Sequence, residues 1–68
     1  MDLYKDFRNL NRLCQQNKLY WFIKYNYHIC KYEGRLDSGN VDGLLTLIEA
    51  DYLDDLVHRL TEAIESLH

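Results

Sequence analysis

The sequence predicts an all-α fold, a small bundle of three helices with the last one long or broken into two. Three observations lead there. The 68 residues include no proline and three glycines, so nothing interrupts a helix for long stretches. Apolar residues recur at steps of three and four over most of the chain. A loop-like composition is confined to the cluster from Asp37 to Asn40.

The first helix is expected from Asp2 to Gln16. Leu3, Phe7, Leu10 and Cys14 fall on one stripe, with Leu13 flanking, while Lys5, Arg8 and Arg12 form a basic ridge on another face. Asn17 tolerates the left-handed conformation that commonly ends a helix, and it supplies the stop.

Residues 18 to 33 are ambiguous. Trp21, Ile23, Tyr25, Tyr27 and Ile29 alternate as a strand would, and aromatic content favours a strand. Yet a stretch of this length without a turn signal is long for one strand, which usually has about five or six residues. On a helical wheel Leu19, Phe22, Ile23, Ile29 and Cys30 gather on one side and Lys24, His28 and Lys31 opposite, with Trp21, Tyr25 and Tyr32 along a flank. This sorting favours a helix, with a strand hairpin as the alternative. Gly34 then ends the helix, and Leu36 provides the apolar contact of a Schellman-type cap.

Asn40 is a good N-cap for the third segment. From Val41 through Leu45, Ile48, Tyr52, Leu56, Leu60 and Ala63 to Leu67, apolar residues recur every three or four positions. The expectation is one helix over residues 41–67, or two broken at Ala50 with Asp51 capping the second.

All 68 residues belong to a single domain, and a chain of 8.2 kDa buries only about 60% of the surface its unfolded form exposes. Its core is thin. Below roughly 70 to 80 residues a partner or a second copy often supplies the missing burial, so a homodimer is expected. The chain does not open on a basic segment followed by an apolar run, and no stretch approaches 18 apolar residues. A cytoplasmic location is therefore expected.

The net charge of −3 hides a division. Residues 1–35 carry Lys5, Arg8, Arg12, Lys18, Lys24, Lys31 and Arg35 against Asp2, Asp6 and Glu33; residues 36–68 carry eight acids against Arg59 alone. Of the six tyrosines, Tyr52 alone lies in the acidic part. Either the two parts compensate within the fold, or the surface is polarised for a partner.

Two candidate partner-binding sites follow. Asp51, Asp55, His58, Glu62 and Glu65 repeat at four, three, four and three, which makes an acidic stripe opposite the apolar one on a helix. Such stripes are usually solvated faces, and this one also suits a basic partner. The competing site is the flank of Trp21, Tyr25 and Tyr32, residue types enriched among binding hot spots but also needed by a small core. Lys18, Lys24, Lys31 and Arg35 interleave with Tyr20, Trp21, Tyr25 and Tyr32, a mixture suited to phosphate contacts and base stacking. That supports nucleic-acid binding as the alternative.

Other chemistry has little support. His28, Cys30, Cys14, His58 and His68 lack the paired spacings of a zinc site, so no metal or other cofactor is expected. In a helical hairpin Cys14 faces the region of residue 20, which leaves Cys30 roughly 15 Å away and beyond disulfide reach. No nucleophile elbow, phosphate loop or dinucleotide fingerprint occurs, and the reading is of a protein that is not an enzyme. The expected function is a non-catalytic interaction module, a small acidic regulator or inhibitor of a larger protein. Inhibitors encoded by phages and mobile elements offer an analogy of size and charge.

Overall fold

The computed structural model describes residues 2–39 and 43–67. The fold is α+β, not the expected all-α bundle. Its elements are α1 (Leu3–Gln16), β1 (Tyr20–Asn26), β2 (Lys31–Asp37), β3 (Leu44–Ala50) and α2 (Leu53–Glu65). The strands form an antiparallel meander in the order β1-β2-β3.

Helix α1 follows the sequence pattern. The Asp2 carboxylate caps it by accepting from the Lys5 backbone N–H at 3.2 Å. Leu10 and Cys14 are buried, and Leu3, Phe7 and Leu13 pack around them. The helix stops at Asn17 as expected, but the geometry of the stop differs. Asn17 has φ −103° and donates its side-chain amide to the Leu13 carbonyl at 2.8 Å; the left-handed residue is Lys18, at φ 58°.

The second expected helix is a hairpin, so the alternative weighed for that segment is the one realised. Trp21 opposes Leu36, Ile23 opposes Gly34 and Tyr25 opposes Tyr32. The alternation from Trp21 to Tyr25 was a true strand signal, and the excess length came from a turn with no glycine or proline. Asn26 makes that turn. Its Oδ1 accepts from the His28 backbone N–H at 2.9 Å, its Nδ2 donates to Glu33 Oε1 at 2.6 Å, and Cys30 takes φ 53° to close the reversal.

The third expected helix is also corrected. Residues 44–50 form β3, two residues turn, and α2 begins at Leu53. The chain does break after Ala50, but the piece before the break is a strand. A run such as Leu44-Leu45-Thr46-Leu47-Ile48 suits a strand as well as a buried helix, and periodicity cannot separate the two. Tyr52, not Asp51, is the N-cap of α2, and it makes no side-chain cap bond. Asn40 and Val41, expected to open the helix, lie outside the described residues.

Both helices pack on one face of the sheet, α1 against β1 and α2 against β2 and β3, and they touch each other. The core joins Leu10 and Cys14 of α1, Leu36 and Ala50 of the sheet, and Leu56, Val57, Leu60 and Ile64 of α2. The Cα envelope of 30 × 29 × 16 Å is a slab two layers thick.

Gly34 is central strand and not helix cap. A Cβ built on it would stand 2.9 Å from Leu56 Cδ1 and 2.9 Å from Leu60 Cδ1. Both leucines have no exposed surface, so neither can swing aside. Gly34→Ala is expected to destabilise the domain by about 1–3 kcal/mol through overpacking, measured by urea denaturation. An unchanged midpoint would show that α2 does not seat on β2 this closely.

Candidate interaction surface

Four of the five acidic-stripe residues stay together. Asp55, His58, Glu62 and Glu65 lie on α2, while Asp51 falls in the turn before it. Part of the stripe is compensated locally. His58 Nε2 lies 2.8 Å from Glu62, and Arg59 Nε lies 3.1 Å from Asp55.

The aromatic flank is divided. Trp21 belongs to the core side: its ring centroid is 5.6 Å from that of Phe7, and its Nε1–H donates to Asn11 Oδ1 at 3.3 Å. Tyr25 and Tyr32 lie at the other end of the hairpin, edge to face with centroids 4.9 Å apart. Strand pairing causes this split, because Trp21 and Tyr25 are four residues apart along an extended chain and not one turn apart on a helix.

The turns bring new residues to Tyr25 and Tyr32. Tyr27, from the β1–β2 turn, stacks edge-on against Tyr25 at 5.0 Å. Tyr52 and Asp51 arrive from the β3–α2 turn, and Asp54 from the first turn of α2. With Leu3 and Leu53 they line an open groove of about 660 Å³. Asp54 is shared with a neighbouring dent of about 240 Å³, whose other walls are Asp6, Asp55 and His58. One end of each predicted site therefore meets in one place. Sequence reading missed Tyr27, Tyr52 and Asp54; Tyr52 falls at the helical spacing between Ile48 and Leu56, and the signal available was the acids Asp51 and Asp54 on either side of it.

Tyrosine faces carry negative π-density, and the adjacent carboxylates add full negative charge. Together they suit a guanidinium or ammonium group, which gains both ion pairing and cation–π contact. Lys31 already samples this field at the rim, with Nζ 4.0 Å from Asp51. Desolvation within the cluster is the main cause that raises the Tyr25 phenol above its usual pKa, followed by the nearby Cys30 and the neighbouring tyrosines. The phenol accordingly remains a neutral donor at physiological pH.

The basic and aromatic residues proposed for nucleic acid are divided between the two faces of the sheet, with Tyr20 alone of the four aromatics on the side of Lys24 and Arg35. Strand alternation sends Tyr20 and Lys24 to the open side of the sheet and Trp21, Tyr25 and Tyr32 to the helix side. Lys24 lies 3.9 Å from Glu33 and Arg35 3.6 Å from Asp37. Among the described residues, no group of three or more His, Cys, Asp or Glu side chains is placed to hold a metal ion, and no helix is long and apolar enough to cross a membrane.

The cysteines are both free, Cys14 buried and Cys30 exposed in the hairpin turn. Burial pushes the Cys14 thiol above its ordinary value of 9.0, so above that pH the unfolded chain loses its proton first. The unfolded state then binds fewer protons than the native one, and stability must fall as pH rises past 9. Thermal melts from pH 7 to 10 are expected to show this decline, and Cys14→Ala to flatten it. A thiol reagent should modify Cys30 in the native protein and Cys14 only after unfolding; equal rates would contradict the buried position. In comparisons with known proteins, no family, no curated protein and no solved structure matches this chain.

Proposed function

We propose that the chain is a non-catalytic protein-binding module, a small acidic regulator or inhibitor that docks on a larger partner. One observation carries this reading. Tyr25, Tyr27, Tyr32 and Tyr52 converge with Asp51 and Asp54 from the hairpin and the β3–α2 turn onto one open groove, although the core is complete without Tyr27 and Tyr52. The residue types are those that anchor protein interfaces, and the carboxylates match a partner segment bearing arginine or lysine. The acids along α2 extend the same field and steer the encounter. Two free thiols fit a reducing compartment such as the cytoplasm.

The test is capture of a partner from the native host on immobilised protein, identified by mass spectrometry, followed by affinities of variants. Tyr52→Ala, at a side chain that lies outside the core, is expected to weaken the complex by about 30-fold or more, the hot-spot scale of about 2 kcal/mol. Asp51→Lys with Asp54→Lys should abolish capture. Glu62→Lys with Glu65→Lys, farther along α2, should slow association and leave dissociation nearly unchanged. Wild-type affinity in both groove variants would overturn the reading. So would a saturable complex with DNA or RNA that weakens steeply with salt and is lost in Lys24→Ala with Lys31→Ala.

A further inference from the structure

The helices cover one face of the sheet, and the other face is not the polar surface expected of a two-layer domain. Tyr20 is 60% exposed, Phe22 50%, Leu45 47% and Leu47 56%. They lie on one side of the sheet because Phe22 is in register with Arg35 and Arg35 with Leu47. A register shift beside Asp37 adds an extra residue to β3, which leaves Leu44 exposed beside Leu45. The guanidinium of Arg35 lies over the Phe22 ring, 4.8 Å from its centroid. At the next level along the strands the same face is charged, with Lys24, Glu33 and Glu49 side by side.

We propose that a second copy of this chain covers the open face, so that two sheets pack face to face between outer helices. The area and the charge pattern both select this occupant. Five half-exposed side chains at about 100 Å² each offer roughly 500 Å² per copy, so a symmetric pair removes about 1,000 Å² from water, the threshold for a specific interface. A two-fold axis parallel to the strands lays β1 over the partner's β3 with each level preserved. Phe22 then meets the partner's Leu47, and Lys24 meets the partner's Glu49.

That last pairing completes a defect within one copy. Glu49 stands directly across from Glu33 and has no ion pair among the described residues. Like charges opposite one another on a sheet face are destabilising. Glu33 already has Lys24 at 3.9 Å and the Asn26 amide at 2.6 Å; Glu49 gains a cation when the second copy arrives. On the central strand Arg35 is drawn toward Phe22 and toward Asp37 at 3.6 Å, so the line about which the copies rotate carries an internally paired charge. The face lies on the side of the sheet opposite the helices and is separate from the tyrosine groove, so the dimer stands or falls apart from partner binding.

Sedimentation equilibrium of the intact chain from 1 to 100 μM is expected to show a shift from 8.2 kDa to twice that mass. Leu47→Glu should hold the protein at the monomer mass with an unchanged circular dichroism spectrum, because the side chain is outside the core. Lys24→Glu and Glu49→Lys should each weaken the dimer at least tenfold, and the two changes combined in one chain should restore it. These charges sit outside the core as well, so the swap tests the pairing even if Leu47→Glu disturbs the fold. A wild-type chain that stays at 8.2 kDa at 100 μM overturns the proposal. So does a dimer that survives Leu47→Glu, or one that the charge swap fails to restore, which would place the contact at the β3 edge or elsewhere.

Discussion

The seat of Leu56 and Leu60 on Gly34 is the contact on which the rest of the molecule depends. A glycine in the middle of a central strand contributes no side chain and costs conformational entropy, so by itself it weakens the sheet. Here the absent Cβ lets α2 approach until two leucine side chains stand where that carbon would be. Leu56 and Leu60 then lose all exposed surface, and burying each such side chain contributes about 1.5–3 kcal/mol. In a slab only two layers thick, that close approach is how so few residues enclose a core.

The position of α2 also decides what happens at the turns. With its first turn held over β2 and β3, the short link from Ala50 to Leu53 has to reverse the chain at the end of the sheet. This sets Asp51, Tyr52 and Asp54 beside the hairpin end that carries Tyr25, Tyr27 and Tyr32. Asn26 holds the other side of the same place, bonding forward to His28 and across to Glu33. The groove is thus a consequence of two chain reversals at one end of the molecule, each fixed by local hydrogen bonding or helix seating.

Charge follows the same logic at lower strength. The basic first part and the acidic second part of the chain meet locally through Arg35 with Asp37 and at longer range through Lys31 with Asp51, between β2 and the β3–α2 turn, but the latter pair is long and exposed and contributes little to stability. Within the sheet, Lys24 with Glu33 and Arg35 with Asp37 neutralise bases using acids from the hairpin itself. The acids of α2 are left with His58 and Arg59 as local partners, which keeps that side of the molecule negative. Compensation therefore operates on the sheet, and polarity persists on the second helix.

By itself the sequence determined α1, with its Asp2 cap and the Leu3, Phe7, Leu10 and Cys14 stripe, and the apolar stripe of α2 from Leu56 to Ile64. Both are local: a period of 3.6 and a capping residue are readable wherever one element buries one face. Residues 18–33 and 41–50 read as helix because the deciding facts are not local. Tyr25 can be a strand residue only because Tyr32 comes to lie opposite it, and the Leu44–Ile48 run is a strand only because β2 offers an edge. The turn between β1 and β2 has neither glycine nor proline and rests on Asn26 alone, with Cys30 in a positive φ that its sequence does not announce. The tyrosine groove and the open apolar face were invisible for the same reason, since each joins residues far apart in the chain. Strand pairing and helix seating brought them together, and those are properties of the tertiary structure.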